Sequence, residues 1–280
     1  MSWLDPPMSA VRDVVARALA EDLGVFGDLT AGLMPEGATG RGVIASRGEG
    51  VLGGRLAAAV AFEMAAPSLD VQWRAGDGAE LVAGQVIAAV SGPLAPLLTV
   101  ERTVLNLLGH LSGVASLTRR YVDAAAPRAR VRDTRKTTPG LRALEKAAVR
   151  AGGGVNHRGS LSDGVLVKDN HLAGMTIHEA VAAAKARWPS HPCQVECDTL
   201  EQVALALDAG ADLLLVDNMN PDQVREAVGM AAGRAPVEVS GRVGLDQVAA
   251  YAAAGADFIS VGALTHSAPV LDIGLDLQER

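Results

Sequence analysis

Aromatic side chains make up only 3% of the 280 residues, and there are only two cysteines. With so few large rings, packing has to rest on small residues, and abundant Ala with 31 Gly suits helices laid closely on a parallel sheet. Cys193 and Cys197 stand four apart in a strand-like run. Their side chains would share a face about 13 Å apart, too far for a disulfide, so both read as buried thiols. Neither has a His or Cys at metal-ligand spacing. No apolar run approaches the roughly 18 residues of a membrane span, and the acidic region from Met1 to Asp28 lacks a signal-peptide layout. A cytoplasmic protein is predicted. Basic charge is also short: a net charge of -7 excludes general attraction to nucleic acid or anionic membrane.

What is present is a chain long enough, and at 49% hydrophobic apolar enough, for one large and one smaller core. Its charge is uneven. Between Val131 and Asn170, eight Lys or Arg face four acids, so that window is +4 and the remainder -11.

The second half alternates β-rich runs (Ala129–Arg132, Gly164–Lys168, Gln194–Cys197, Leu213–Val216, Val237–Ser240, Phe258–Val261) with helical spacing over Leu141–Arg150, Ile177–Arg187, Leu200–Asp208, Pro221–Ala232 and Leu245–Ala254. Such βα units predict a parallel sheet or a β/α barrel. Polar residues follow almost every apolar run, and in a barrel these strand ends converge on one mouth, whereas a doubly wound sheet spreads them along a crevice. The first half reads differently. Val11–Leu23 is an amphipathic helix, and Arg41–Val90 reads as short strands separated by glycines, a small α+β domain. A helical run over Thr99–Ala126 connects it to the second half, and the tail after His266 is expected to return to the small domain.

Gly48-Glu-Gly-Val-Leu-Gly53 matches G-x-G-x-x-G, but no helix with a free N-terminus is expected to follow and hold a pyrophosphate, so tight turns explain the glycines. Arg74–Gly92 resembles a lipoyl or biotinyl half-motif without the lysine such a carrier needs. No G-x-S-x-G elbow supports a hydrolase. His110, His178 and His191 read as structural or solvated.

The strongest signal is Asp133-Thr-Arg-Lys-Thr-Thr-Pro-Gly-Leu-Arg142. It combines Arg135 and Lys136 with hydroxyls and a Pro-Gly helix start, a set suited to an anion with several oxygens. Asn156-His157-Arg158 and Lys168 add cations at later positions. Glu196 and Asp217 each end an apolar strand, and two readings stay open: ligands of a hard divalent ion, or helix N-caps. Ser240-Gly241 and Gly262–Ser267 offer amides and hydroxyls after the last two strands, where barrels commonly seat a phosphate, and structural turns explain them too. A lysine ending a barrel strand, as Lys168 does, also fits a Schiff-base aldolase. A biotinyl-like interaction module would leave the strand-end cations unexplained.

Taken in order, Glu21-Asp-Leu-Gly24 with Gly27-Asp-Leu-Thr30, Glu101–Asn106 with His110–Gly113, Asp133–Arg142, Glu145–Arg150, Gly152–Arg158, Val167–His171, Leu215–Met219 and Gly262–Ser267 resemble the quinolinate phosphoribosyltransferase family over nearly the whole chain. A paralogous family linked to molybdenum utilisation shares much of this set. The resemblance implies an open β/α barrel (111–266) with a smaller N-terminal α/β sandwich domain (1–110, joined by the tail 267–280). It also implies a homodimer whose active sites lie between one subunit's barrel and its partner's small domain, and a reaction that joins quinolinate to phosphoribosyl pyrophosphate with loss of CO₂. Arg135, His157, Arg158 and Lys168 are then expected to hold quinolinate's carboxylates, with Arg102 reaching in from the other subunit. Lys136 is expected between the substrates, Glu196 and Asp217 on Mg²⁺ and the pyrophosphate donor, and Ser240, Gly241, Gly262 and His266 around the phosphates. Catalysis falls to Lys136, Lys168, Glu196 and Asp217. The chain departs from its relatives at Arg242, where many carry glycine, and at Val195-Glu196-Cys197-Asp198, where a second glutamate is frequent.

Overall fold

The computed structural model of the chain describes residues 4–278, so the ends of the Met1–Asp28 region and of the 267–280 tail lie outside the described residues. Two compact units are present. One holds the N-terminal part to Arg119, Thr137–Gly153 and the C-terminal part from Leu264; the other holds Arg120–Lys136 and Gly154–Ala263. The strands, in chain order, are β1 (Thr39–Ser46), β2 (Gly50–Val51), β3 (Asp70–Trp73), β4 (Glu80–Leu81), β5 (Val86–Pro93), β6 (Arg130–Arg132), β7 (Val165–Val167), β8 (Cys193–Cys197), β9 (Leu213–Asp217), β10 (Val237–Ser240), β11 (Phe258–Ser260) and β12 (Ile273–Leu277).

The first unit is built on an antiparallel sheet in the order β12-β1-β5-β3, with the tail strand running from Ser46↔Ile273 to Gly42↔Leu277. Its core is aliphatic, with Ile44, Leu52, Ile87, Leu97 and Leu108 all but sealed from solvent. Small residues set the spacing: a Cβ on Gly113 would stand 2.0 Å from the carbonyl oxygen of Pro269, and one on Gly53 would stand 2.7 Å from that of Leu111. The reading of Arg41–Val90 as short strands alone fails here. A helix, Arg55–Ala65, follows the Gly48–Gly53 motif directly. Its N-terminus still offers no pyrophosphate site, because the Arg55 N–H donates to Asp77 Oδ1 at 2.9 Å and Gly53 packs against backbone. Burial holds the Asp77 carboxyl above its ordinary range.

The second unit carries six parallel strands in the order β6-β11-β10-β9-β8-β7. The first strand pairs with the last, and the others follow in sequence order, which is the cyclic order of a β/α barrel rather than the reversal of a doubly wound sheet. The ring stays open between β6 and β7. There Val155 forms a single parallel bridge with Arg132, so the segment from Gly154 lies along β6 without becoming a strand.

The helices between strands begin where the sequence marks them. Thr176 with Glu179, Thr199 with Gln202 and Asn220 with Gln223 each form a capping box, closing otherwise unpaired N–H groups at the starts of Ile177–Arg187, Leu200–Asp208 and Pro221–Ala231. Cys193 and Cys197 are free and buried in β8. No helix among the described residues is long and apolar enough to cross a membrane.

Candidate active site

The strands of the second unit end in polar residues that border one cavity of about 330 Å³. Thr134, Arg135 and Lys136 follow β6, Lys168 follows β7, Glu196 lies near the end of β8, and Ser240 and Ser260 close β10 and β11. His157 and Arg158 enter from the segment that fills the ring's opening. Seven of the residues singled out in the sequence therefore meet: Arg135, Lys136, His157, Arg158, Lys168, Glu196 and Ser240. Two hollows of about 710 and 700 Å³ lie in the first unit, but one carries Arg41 as its single charged side chain and the other mixes Arg17 and His110 with Glu21 and Asp22. Neither concentrates charge of one sign.

The electrostatics of the rim are strained by like charge. Burial and the nearby Arg135 both lower the affinity of the Arg158 guanidinium for its proton, opposed by Asp163. Arg158 is braced by its Nη1, which donates to the carbonyl of Gly164 at 3.0 Å. Lys168 Nζ makes a short ion pair with Glu196, and the Lys168 backbone N–H donates to His171 Nδ1 at 3.0 Å. Lys136 donates its backbone N–H to Thr134 Oγ1 at 3.0 Å, a local turn at the end of β6. Asp133, fully buried, holds the next wall: it accepts from Asn156 Nδ2 at 2.5 Å and from the His157 N–H at 2.8 Å.

Beneath this rim lies a polar layer that the sequence reading passed over. Glu238, wholly buried in β10, accepts from Arg132 Nη1 at 2.7 Å, from Gln194 Nε2 at 2.9 Å and from Ser260 Oγ, and its Oε1 stands 3.4 Å from His157 Nε2. Arg132, Gln194 and Glu238 come from alternate strands, as one layer of a barrel interior should, but where aliphatic residues are usual. The sequence shows only a charged residue between Val237 and Val239; that this position faces inward comes from the fold.

The remaining candidates are placed as follows. Asp217 ends β9, accepts from Asn218 Nδ2 at 2.6 Å, and shares a face with Leu215, which lines the cavity. The N-caps of the next helices are Thr199 and Asn220, so neither Glu196 nor Asp217 is an N-cap. Glu196 pairs with Leu215 across β8 and β9, which puts the two carboxylates on neighbouring strands. Gly241 has φ +102, and a Cβ there would meet Asn218 Oδ1 at 2.4 Å. Gly262 follows β11. Arg102 and His266 belong to the first unit; Arg102 is 64% exposed beside Glu101, and His266 Nδ1 shares a hydrogen bond with Ser267. His110 is paired with the buried Glu145 at 2.9 Å, and His178 with Asp208 at 3.1 Å.

Two family models cover the chain: the quinolinate phosphoribosyl transferase N-terminal domain matches residues 28–112 and its C-terminal domain residues 114–276. The chain is 44% identical to the carboxylating nicotinate-nucleotide pyrophosphorylase of Mycobacterium leprae, covering 98% of this chain and 99% of that protein. It is 40% identical to the probable enzyme of the same name from Bacillus subtilis, over 92% and 90% of the two chains. The solved structure of nicotinate-nucleotide pyrophosphorylase from Francisella tularensis superposes with a TM-score of 0.93 at 35% identity, covering 98% of each chain. Matched in both halves and along nearly its full length, the chain belongs to the quinolinate phosphoribosyltransferase family.

Proposed function

We propose that this chain transfers the phosphoribosyl group of phosphoribosyl pyrophosphate to quinolinate with decarboxylation, giving nicotinate mononucleotide, CO₂ and pyrophosphate for NAD synthesis in the cytoplasm. The observation that carries the reading is the single cavity where Arg135, Lys136, Arg158 and Lys168 converge at strand ends while its deepest acid, Glu238, is already compensated by Arg132. Desolvating a dianion costs several kcal/mol per charge unless cations and donors replace the lost water. Arg135 and Arg158 do so with planar forks that meet carboxylates through paired bonds and orient the pyridine ring, while Lys168 exchanges Glu196 for a substrate carboxylate. His157 completes that wall, and Arg102 reaches the ring from the second subunit of a homodimer.

Lys136 stands between the two substrates, and Ser240, Gly241, Gly262 and His266 cradle the donor's phosphates. Glu196 and Asp217 would hold a Mg²⁺ accompanying those phosphates, since two carboxylates on adjacent strands suit a hard divalent ion. When bound there, the metal would supply charge neutralisation for the pyrophosphate. The pyridine nitrogen bonds to ribose C1 as the C1–oxygen bond to pyrophosphate breaks. The C2–carboxylate bond then breaks, its electron pair passing to the pyridinium ring and being taken up by a proton from water. The residues of the rim orient and stabilise; none acts as a nucleophile.

The test is release of labelled CO₂ from carboxyl-labelled quinolinate. It is expected only with both phosphoribosyl pyrophosphate and Mg²⁺, and its absence in folded protein would favour the molybdenum-linked paralogue. The shared site is tested by mixing Arg102→Ala with Lys168→Ala, which should regain partial activity; no rescue despite subunit exchange contradicts it.

A further inference from the structure

His157 has both ring nitrogens engaged by the protein. Nδ1 accepts the backbone N–H of Arg158 at 2.8 Å, so in the neutral ring the proton sits on Nε2. Nε2 then donates to Gln194 Oε1 at 3.1 Å, and Gln194 Nε2 donates to Glu238 Oε2 at 2.9 Å. This relay fixes the amide of Gln194 as well, since the reversed amide would set NH₂ against the imidazole N–H and oxygen against a carboxylate. The ring is only 12% exposed, and the backbone N–H of His157 is held by Asp133.

We propose that Gln194 and Glu238 are positioning residues that keep His157 as the uncharged imidazole protonated on Nε2, so that Nδ1 remains the acceptor that locates Arg158 in the cavity. The proposal rests on the function above for the identity of the bound anion, and it revises the part His157 plays: the ring orients a cation instead of supplying one. The charged groups around it are Glu238, Arg132 behind that carboxylate, Asp133 at its backbone, and Arg158 with the nearby Arg135. A doubly protonated ring would turn Nδ1 into a donor facing the Arg158 N–H, and that contact would be lost.

The experiment is ¹⁵N NMR of the full-length, histidine-labelled protein at neutral pH without substrate. It is expected to show His157 neutral with its proton on Nε2. Gln194→Met, similar in length but without the relay, is expected to disturb that tautomer and raise the KM for quinolinate about tenfold, the equivalent of one neutral hydrogen bond, with a smaller change in kcat. A charged ring or a proton on Nδ1 in the unmodified protein overturns the proposal, as does a folded Gln194→Met with unchanged His157 resonances and KM. If that variant does not fold, the spectrum of the unmodified protein decides alone. The spectrum needs no turnover, so absence of quinolinate turnover removes the proposed function and leaves the tautomer assignment standing.

Discussion

Glu238 at the floor of the cavity is completely buried yet receives hydrogen bonds from Arg132, Gln194 and Ser260, whereas at the rim burial and the nearby Arg135 weaken the hold of Arg158 on its proton. Both layers sit in one barrel and both use charge. The floor satisfies its charge internally, so it fixes structure; the rim concentrates like charge beside open space, so it gains from an incoming anion.

That contrast can be broken by mutation. Glu238→Ala leaves the part-buried Arg132 without its carboxylate and takes away the acceptor of Gln194 and Ser260, and should cost about 3 kcal/mol in denaturant unfolding; a loss under about 1 kcal/mol would place floor and rim in the same class. Arg135→Ala should do the opposite. The quinolinate KM is expected to rise about 10- to 100-fold, the size of a lost charge-assisted bond, with the unfolding midpoint unmoved. Unfolding of that variant would make Arg135 structural. Arg242 sharpens the picture at the edge of the site, since it is exposed at φ +47, a left-handed conformation. Arg242→Gly should therefore stabilise by at most about 1 kcal/mol, measured by the same unfolding curves. The smallest expected effect is none: burial pushes the Cys197 thiol up to about 12, so the native protein should resist alkylation there at mildly alkaline pH and react only once unfolded, as mass spectrometry would report.

The barrel was legible because its signals are local. Thr176 and Glu179, or Thr199 and Gln202, lie three residues apart and mark a helix start without any tertiary knowledge, and the strand-end cations follow apolar runs directly. The helix Arg55–Ala65 was not legible, because its N-terminus is closed by Asp77, 22 residues away, and Gly54 enters it at a left-handed φ of +88. Glu238 escaped for a related reason. In Val237-Glu238-Val239 an acid reads as the solvent face of an alternating strand, and the partners that make it an interior group come from β6, β8 and β11. Pairing in sequence order explained the gap in the ring only once Val155 was seen beside β6.

The most direct test is calorimetric titration of the unmodified protein with quinolinate and, separately, with nicotinate, which lacks one carboxylate. A rim built for two negative charges should bind quinolinate at one site per chain, bind nicotinate at least about tenfold more weakly for want of one charge-assisted bond, and lose the preference in Arg135→Ala. Equal affinity for the two acids, or a preference that survives Arg135→Ala, would contradict it.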